Sequence, residues 1–187
     1  YGDENPVFEF ETEGAALDGT PEIVCAAVAN SPVGSYTIEV KQGSIKNYNV
    51  HFESGSLVIT KAPLSISAGN YTKKQGDAMP VFKASYAGFK NGENESVLTK
   101  QPVFSCDANE ASAPAEYAVT ISGADAENYE ISYKQGVLTV TGMPKPIIST
   151  DKATLRITTE TDNAVIYYTL DGTEPNENAR KYTEPIN

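Results

Sequence analysis

One block of sequence occurs twice at a constant spacing, and that repetition limits the possible folds more than any single residue does. Asn47-Tyr48-Asn49-Val50-His51-Phe52-Glu53-Ser54-Gly55-Ser56-Leu57-Val58-Ile59-Thr60 returns as Asn128-Tyr129-Glu130-Ile131-Ser132-Tyr133-Lys134-Gln135-Gly136-Val137-Leu138-Thr139-Val140-Thr141, a spacing of 81 (129 − 48). In the later block Tyr129, Ile131 and Tyr133 alternate with polar residues, which puts them on one face of a strand. Lys134-Gln135-Gly136 reads as a short connection with glycine at a positive φ, and Leu138 and Val140 alternate in the returning strand. The pattern predicts a β-hairpin closing each of two copies of one domain.

Other landmarks keep the same order. Pro21-Glu22-Ile23-Val24-Cys25 answers to Pro102-Val103-Phe104-Ser105-Cys106, and Tyr36, Ile38 and Val40 answer to Tyr117, Val119 and Ile121. Each set alternates as a half-buried strand does. Gly2-Asp3-Glu4-Asn5-Pro6-Val7-Phe8 answers to Gly76-Asp77-Ala78-Met79-Pro80-Val81-Phe82 at a spacing of 74 (76 − 2). Glycine and aspartate predict a turn there, and proline the first residue of a following strand. The second copy therefore carries seven extra residues (81 − 74) before its cysteine, placed around 88–100. Asn94 is suited to cap a short helical turn holding Val97 and Leu98, whereas the first copy has only a tighter loop at 14–19.

A further strand, 64–68, stands ahead of the second copy's Gly-Asp turn. The first copy shows no counterpart. Either that domain is completed by other residues or it carries an unpaired edge, which is a liability for strand pairing. The connections Lys61-Ala62-Pro63 and Met143-Pro144-Lys145-Pro146 are short and stiffened by proline, so an elongated series of domains is expected. Beyond them the repeat stops. Residues 153–159 and 164–170 read as strands, Asp171-Gly172-Thr173 as a turn, and Pro185-Ile186 as the start of a third strand. Such a segment is short for a complete β-domain. The expected division is 1–61, a first repeat lacking its first strand; 62–142, a second repeat; and 143–187, part of a third domain.

Charge and residue usage narrow the function. A net charge of −11 opposes nucleic-acid binding and docking to anionic lipid, and no apolar run reaches the length of a membrane span. The two cysteines occupy the same position in separate copies, so a bridge between them is not expected, and two cysteines alone make no metal site. The single histidine, His51, stands where the other copy has Ser132 and reads as an exposed strand residue without the partners a catalytic base needs. Acidic pairs such as Glu9 with Glu11 and Glu93 with Glu95 lack the cleft that two-carboxylate glycosidase chemistry requires. No phosphate-binding loop, nucleophile elbow or calcium loop is present. The reading is no catalytic residue, no cofactor and no metal. Among eleven tyrosines, most are expected to be half-buried strand residues. Tyr167 and Tyr168 point to opposite faces of a strand, so at most one is core, and they are the candidate contacts to a ligand or partner.

The two copies resemble the MBG domain of the YGX type, a repeat of large secreted bacterial surface proteins. The resemblance is carried by Tyr1-Gly2-Asp3-x-x-Pro6, by Pro32-Val33-Gly34-Ser35-Tyr36-Thr37-Ile38, and by Asn47-Tyr48 with Gly55-x-Leu57-x-Ile59-Thr60. The second copy departs at its opening, with Thr72 after Tyr71, and has Pro114-Ala115-Glu116-Tyr117 where the pattern has Val-Gly. Residues 146–187 are similar to the start of a chitobiase/β-hexosaminidase C-terminal-type domain, through Tyr167-Tyr168-Thr169-Leu170-Asp171-Gly172-Thr173-Glu174-Pro175 and Tyr182-x-x-Pro185-Ile186. Those resemblances imply a mainly β fold: β-grasp-like copies with a short helical turn, or immunoglobulin-like sandwiches. They also imply a non-enzymatic spacer or adhesive stalk at the bacterial cell surface, or else a carbohydrate-binding accessory region of a larger glycoside hydrolase. Its partners would be other domains of the same chain, a host protein or a glycan.

Overall fold

The computed structural model describes residues 1–46, 49–151, 153–161 and 163–186. Nearly all the regular structure is β. The first copy contributes β1 (Glu22–Cys25), β2 (Gly34–Lys41) and β3 (Gly55–Ile59). The second contributes β4 (Ala62–Ser67), β5 (Tyr71–Lys74), β6 (Ser85–Ala87), β7 (Val103–Cys106), β8 (Ala115–Ser122), β9 (Tyr129–Lys134) and β10 (Gly136–Thr141). The tail holds β11 (Ile147–Asp151), β12 (Thr154–Thr158), β13 (Tyr167–Tyr168) and β14 (Arg180–Lys181). A 3₁₀ turn, Glu95–Val97, is capped by Asn94, whose side chain accepts from the Ser96 amide at 2.9 Å. The sequence placed a capped helical turn there.

The repeat is visible in the register. In the first copy β1 pairs antiparallel with β2, setting Cys25 opposite Ile38. In the second, β7 pairs antiparallel with β8, setting Cys106 opposite Val119. Both cysteines are free and half-buried. The first copy's sheet runs β1-β2-β3; the second copy's larger sheet runs β5-β10-β8-β7. The Gly-Asp turns also match. Gly2 has φ +82° and donates to the Ala29 carbonyl, and Gly76 has φ +88° and donates to the Glu110 carbonyl. The residues that follow, Pro6-Val7-Phe8 and Pro80-Val81-Phe82, form no strand, contrary to expectation, and the second copy enters a strand only at Ser85.

The block that organises the sequence is not a hairpin. β9 and β10 adjoin in the chain but belong to different sheets. β9 lies parallel to β4, with Leu64 beside Ile131 and Ile66 beside Tyr133, and β6 flanks β4 on its other side, antiparallel. Gln135 is thus a corner between sheets. Gly136 does not hold a positive φ; a Cβ there would lie 1.6 Å from the Gly69 carbonyl oxygen, so the requirement is close backbone approach. In the first copy 49–53 form no strand at all, while Asn47 and Tyr48 lie outside the described residues.

The core follows from that arrangement. Leu64, Ile66 and Ala68 of the β4 segment are fully buried, as are Val119 and Leu138. Ala62 and Pro63, expected in a linker, are the first residues of β4, and the Ala62 amide donates to the Asn128 carbonyl at 3.0 Å. β5 was not legible as a strand, because its Tyr-Thr-Lys-Lys lacks an apolar alternation.

The chain divides into two compact units. One comprises Tyr1–Tyr71, Pro80–Asp107 and Tyr117–Leu138; the other comprises Thr72–Met79, Ala108–Glu116 and Thr139–Asn187. The second unit contains a buried cation, Lys73, whose ammonium donates to the carbonyls of Asp77 at 2.8 Å, Glu110 at 3.0 Å and Lys74 at 3.4 Å. Three carbonyls replace the water such a group loses on burial. Also in this unit, β11 and β12 form an antiparallel pair, and Ile186 bridges to Leu155. The Asp171 carboxylate accepts from both the amide and the hydroxyl of Thr173, which lowers its pKa and fixes the Asp-Gly-Thr turn.

Candidate functional site

Tyr167 and Tyr168, the candidate contacts, form β13, paired with Lys181 and Arg180 of β14. Both are half-buried. The Lys181 ammonium sits 5.8 Å from the centre of the Tyr167 ring, a cation–π distance. Tyr168 meets Tyr182 edge-on at 6.4 Å. Both rings therefore spend part of their surface within the fold. A shallow groove of about 390 Å³ runs beside Tyr168, lined also by Thr169, Asp171 and Arg180.

A second cluster was not predicted. It lies where the opening of the first copy meets the second copy, inside the first compact unit. Glu93 belongs to the inserted segment of the second copy, and its carboxylate accepts from two tyrosines. The Tyr1 hydroxyl donates to Glu93 Oε1 at 2.5 Å, and the Tyr129 hydroxyl donates to Glu93 Oε2. The Tyr129 oxygen also accepts from the Lys90 amide at 2.9 Å. Charge-assisted bonds of this kind are shorter and stronger than neutral ones. The rings support the polar contacts: Tyr1 and Tyr129 meet edge-on at 5.6 Å, and Phe89 meets Tyr129 in the same way. The Lys90 ammonium reaches Asp3 at 3.0 Å, which lowers the Asp3 pKa.

Two further bonds tie the copies. The Asn128 side chain accepts from the Val33 amide at 3.0 Å, and the Lys61 ammonium donates to the Ala126 carbonyl at 3.2 Å. Burial and the Glu93 carboxylate push the Tyr129 hydroxyl up to about 12, and the bond to Glu93 raises that of Tyr1 as well. Both phenols are therefore neutral donors at any ordinary pH. The sequence signal was present in the extra residues of the second copy, but nothing in their spacing reveals that Glu93 faces the other copy's first residue.

The described residues contain no group of three or more His, Cys, Asp or Glu side chains able to hold a metal. His51 is exposed, though outside any strand, because 49–53 do not pair.

The family model for the MBG domain, YGX type, matches residues 1–58 and 64–139. The chain belongs to the MBG family. The opening Tyr1-Gly2-Asp3 of the first MBG copy is the same triplet that engages the second, with Tyr1 on Glu93, Asp3 on Lys90, and Gly2 pressed so closely on Lys90 that a Cβ would lie 2.4 Å from the lysine Cβ. In the second MBG copy Gln75 stands where Tyr1 stands in the first, preceding Gly76-Asp77. A model for the chitobiase/beta-hexosaminidase C-terminal domain matches 145–187. These are an MBG pair and an accessory-type domain, and neither is a catalytic domain type. No curated protein and no solved structure matches the chain.

Proposed function

We propose that this chain is a non-catalytic extracellular repeat module, a spacer or adhesive stalk of a bacterial cell-surface protein. Its domains would be 1–61, 62–142 and 143–187. The observation that carries the reading is the joint between the two MBG copies. A loose tether needs no aromatic cluster, shared carboxylate or ion pair at the junction, whereas a spacer gains reach from every joint that resists bending. The acidic surface suits it, since like charge opposes association between neighbouring chains. Partners would be further domains of the same polypeptide, with a host protein or glycan held at a distance.

The test is a distance distribution between spin labels at Thr37→Cys and Ala118→Cys, matching exposed positions in the two copies, with Cys25 and Cys106 replaced by serine. A narrow distribution that broadens in the Tyr1→Ala and Glu93→Ala variants is expected. A distribution already broad in the parent chain removes the basis for a stiff spacer.

A carbohydrate-binding accessory role rests on the groove beside Tyr168. A glycan array separates the readings: saturable binding lost in Tyr168→Ala supports the accessory role, and no binding supports the spacer.

A further inference from the structure

The first copy carries an open groove of about 830 Å³ between the segments 8–13 and 49–55. Its apolar lining includes Phe8, Phe10, Ile38, Val40, Val50 and Phe52. Among the described residues neither 8–13 nor 49–54 enters a ladder with a neighbouring strand; the second wall joins one only at Gly55, where β3 begins opposite Ile38 of β2. The second copy shows what this geometry accommodates. The equivalent of one wall is β9, the equivalent of the other is β6, and β4 lies between them, paired to both. The consequence is legible in burial. Val119 and Ile121 are 0 % and 4 % exposed, yet Ile38 and Val40 at the same positions are only half-buried. Phe10 is 44 % exposed.

We propose that this groove is a docking site for one extended polypeptide strand of the β4 type, with apolar side chains at alternate positions. It enters by strand addition, parallel to 49–53 and antiparallel to 11–13. Transferring the β4 register sets the strand's leucine position beside Val50 and its isoleucine position beside Phe52. Its two intervening polar positions then face Glu11 and Glu13, the counterparts of Ser85 and Ala87. Glu9 and Glu53 add to this acidic rim, so the preferred strand is basic on its polar face.

The experiment uses the full chain and a capped synthetic peptide with the sequence of 61–69. One-to-one saturable binding is expected, with slowed hydrogen exchange at the amides of 11–13 and 49–53. A peptide carrying Leu64→Asp and Ile66→Asp should bind more than about tenfold more weakly, because both buried apolar side chains are lost. A peptide carrying Ser65→Lys and Ser67→Lys should bind more tightly at low salt, with the gain fading as salt rises. A scrambled peptide that protects the same amides equally overturns the proposal. So does self-association of the chain that protects them without peptide, which would assign the groove to a second copy.

A covalent arm keeps the proposal falsifiable if the free peptide proves insoluble. The Tyr1 nitrogen donates to the Thr60 carbonyl as the Gln75 amide donates to that of Thr141, so the sequence of 61–74 placed directly before Tyr1 enters in register. A raised Tm with both walls protected is expected. An unchanged Tm with freely exchanging walls overturns the docking site.

Discussion

Gly2 and Gly76 hold the same turn in the two MBG copies, with φ of +82° and +88°, but only Gly2 abuts a neighbour. A Cβ on Gly76 meets nothing within 4 Å, whereas one on Gly2 collides with the Lys90 side chain. Gly76→Ala should therefore cost only the left-handed backbone penalty, about 1–2 kcal/mol. Gly2→Ala should cost more, because Lys90 must also leave Asp3. Urea unfolding of the two variants gives the difference directly, and equal costs would show that the Lys90 contact carries no energy. Tyr129 supplies a pH test. Its folded-state pKa of about 12 exceeds the ordinary tyrosine value of 10.0. A raised pKa means the phenol's contribution is complete below pH 10 and is lost as pH climbs from 10 through about 12. Stability measured over that range should fall in the parent chain and fall less in Tyr129→Phe. At neutral pH that variant should be weaker by about 1–3 kcal/mol, since Glu93 and the Lys90 amide each lose a partner.

At the scale of elements, the corner between β9 and β10 decides the architecture of the second copy. Gly136 passes so near Gly69 that any side chain forces the backbones apart. Gly136→Ala should therefore destabilise the second copy by several kcal/mol, far beyond the loss of glycine flexibility, as the Ala68–Lys134 backbone bond and the Val137–Asn70 bond are strained together. Gly55→Ala is the matched control. Its Cβ would meet Ile38 at an ordinary 3.6 Å, and thermal unfolding should register little change. A comparable loss at both glycines would mean that the close approach is not what excludes a side chain at Gly136.

Across the whole molecule, the two MBG copies share a plan but not a degree of completion. Burial is deepest where β4 lies between β6 and β9, whereas the walls of the first copy's open groove, 8–13 and 49–54, are half-buried or exposed. Local opening tracks buried apolar contact. Native-state hydrogen exchange should therefore show β8 protected more strongly than β2, although the two strands have the same length and register. Equal protection would mean that the open groove costs the first copy nothing. The joint at Glu93 works against that asymmetry, because it fastens the less complete copy to the better packed one.

Several features lay in the sequence alone. The repeat, the strands with clean alternation, the Gly-Asp turns, the Asn94 cap and the Asp-Gly-Thr turn were all legible, because each is set by contacts within a few residues. The pairing partners were not. Tyr129-to-Thr141 carries every local mark of a hairpin, yet its halves part: β9 lies beside β4, whose Leu64 and Ile66 are fully buried, while β10 joins β5 and β8 in the other sheet. Tyr1 and Asp3 lie about ninety residues before Glu93 and Lys90, and the Tyr1–Glu93 bond and the Lys90–Asp3 pair exist only once both copies have folded against each other. Local sequence writes periodicity and turns; only tertiary packing decides which strands and which charges finally meet.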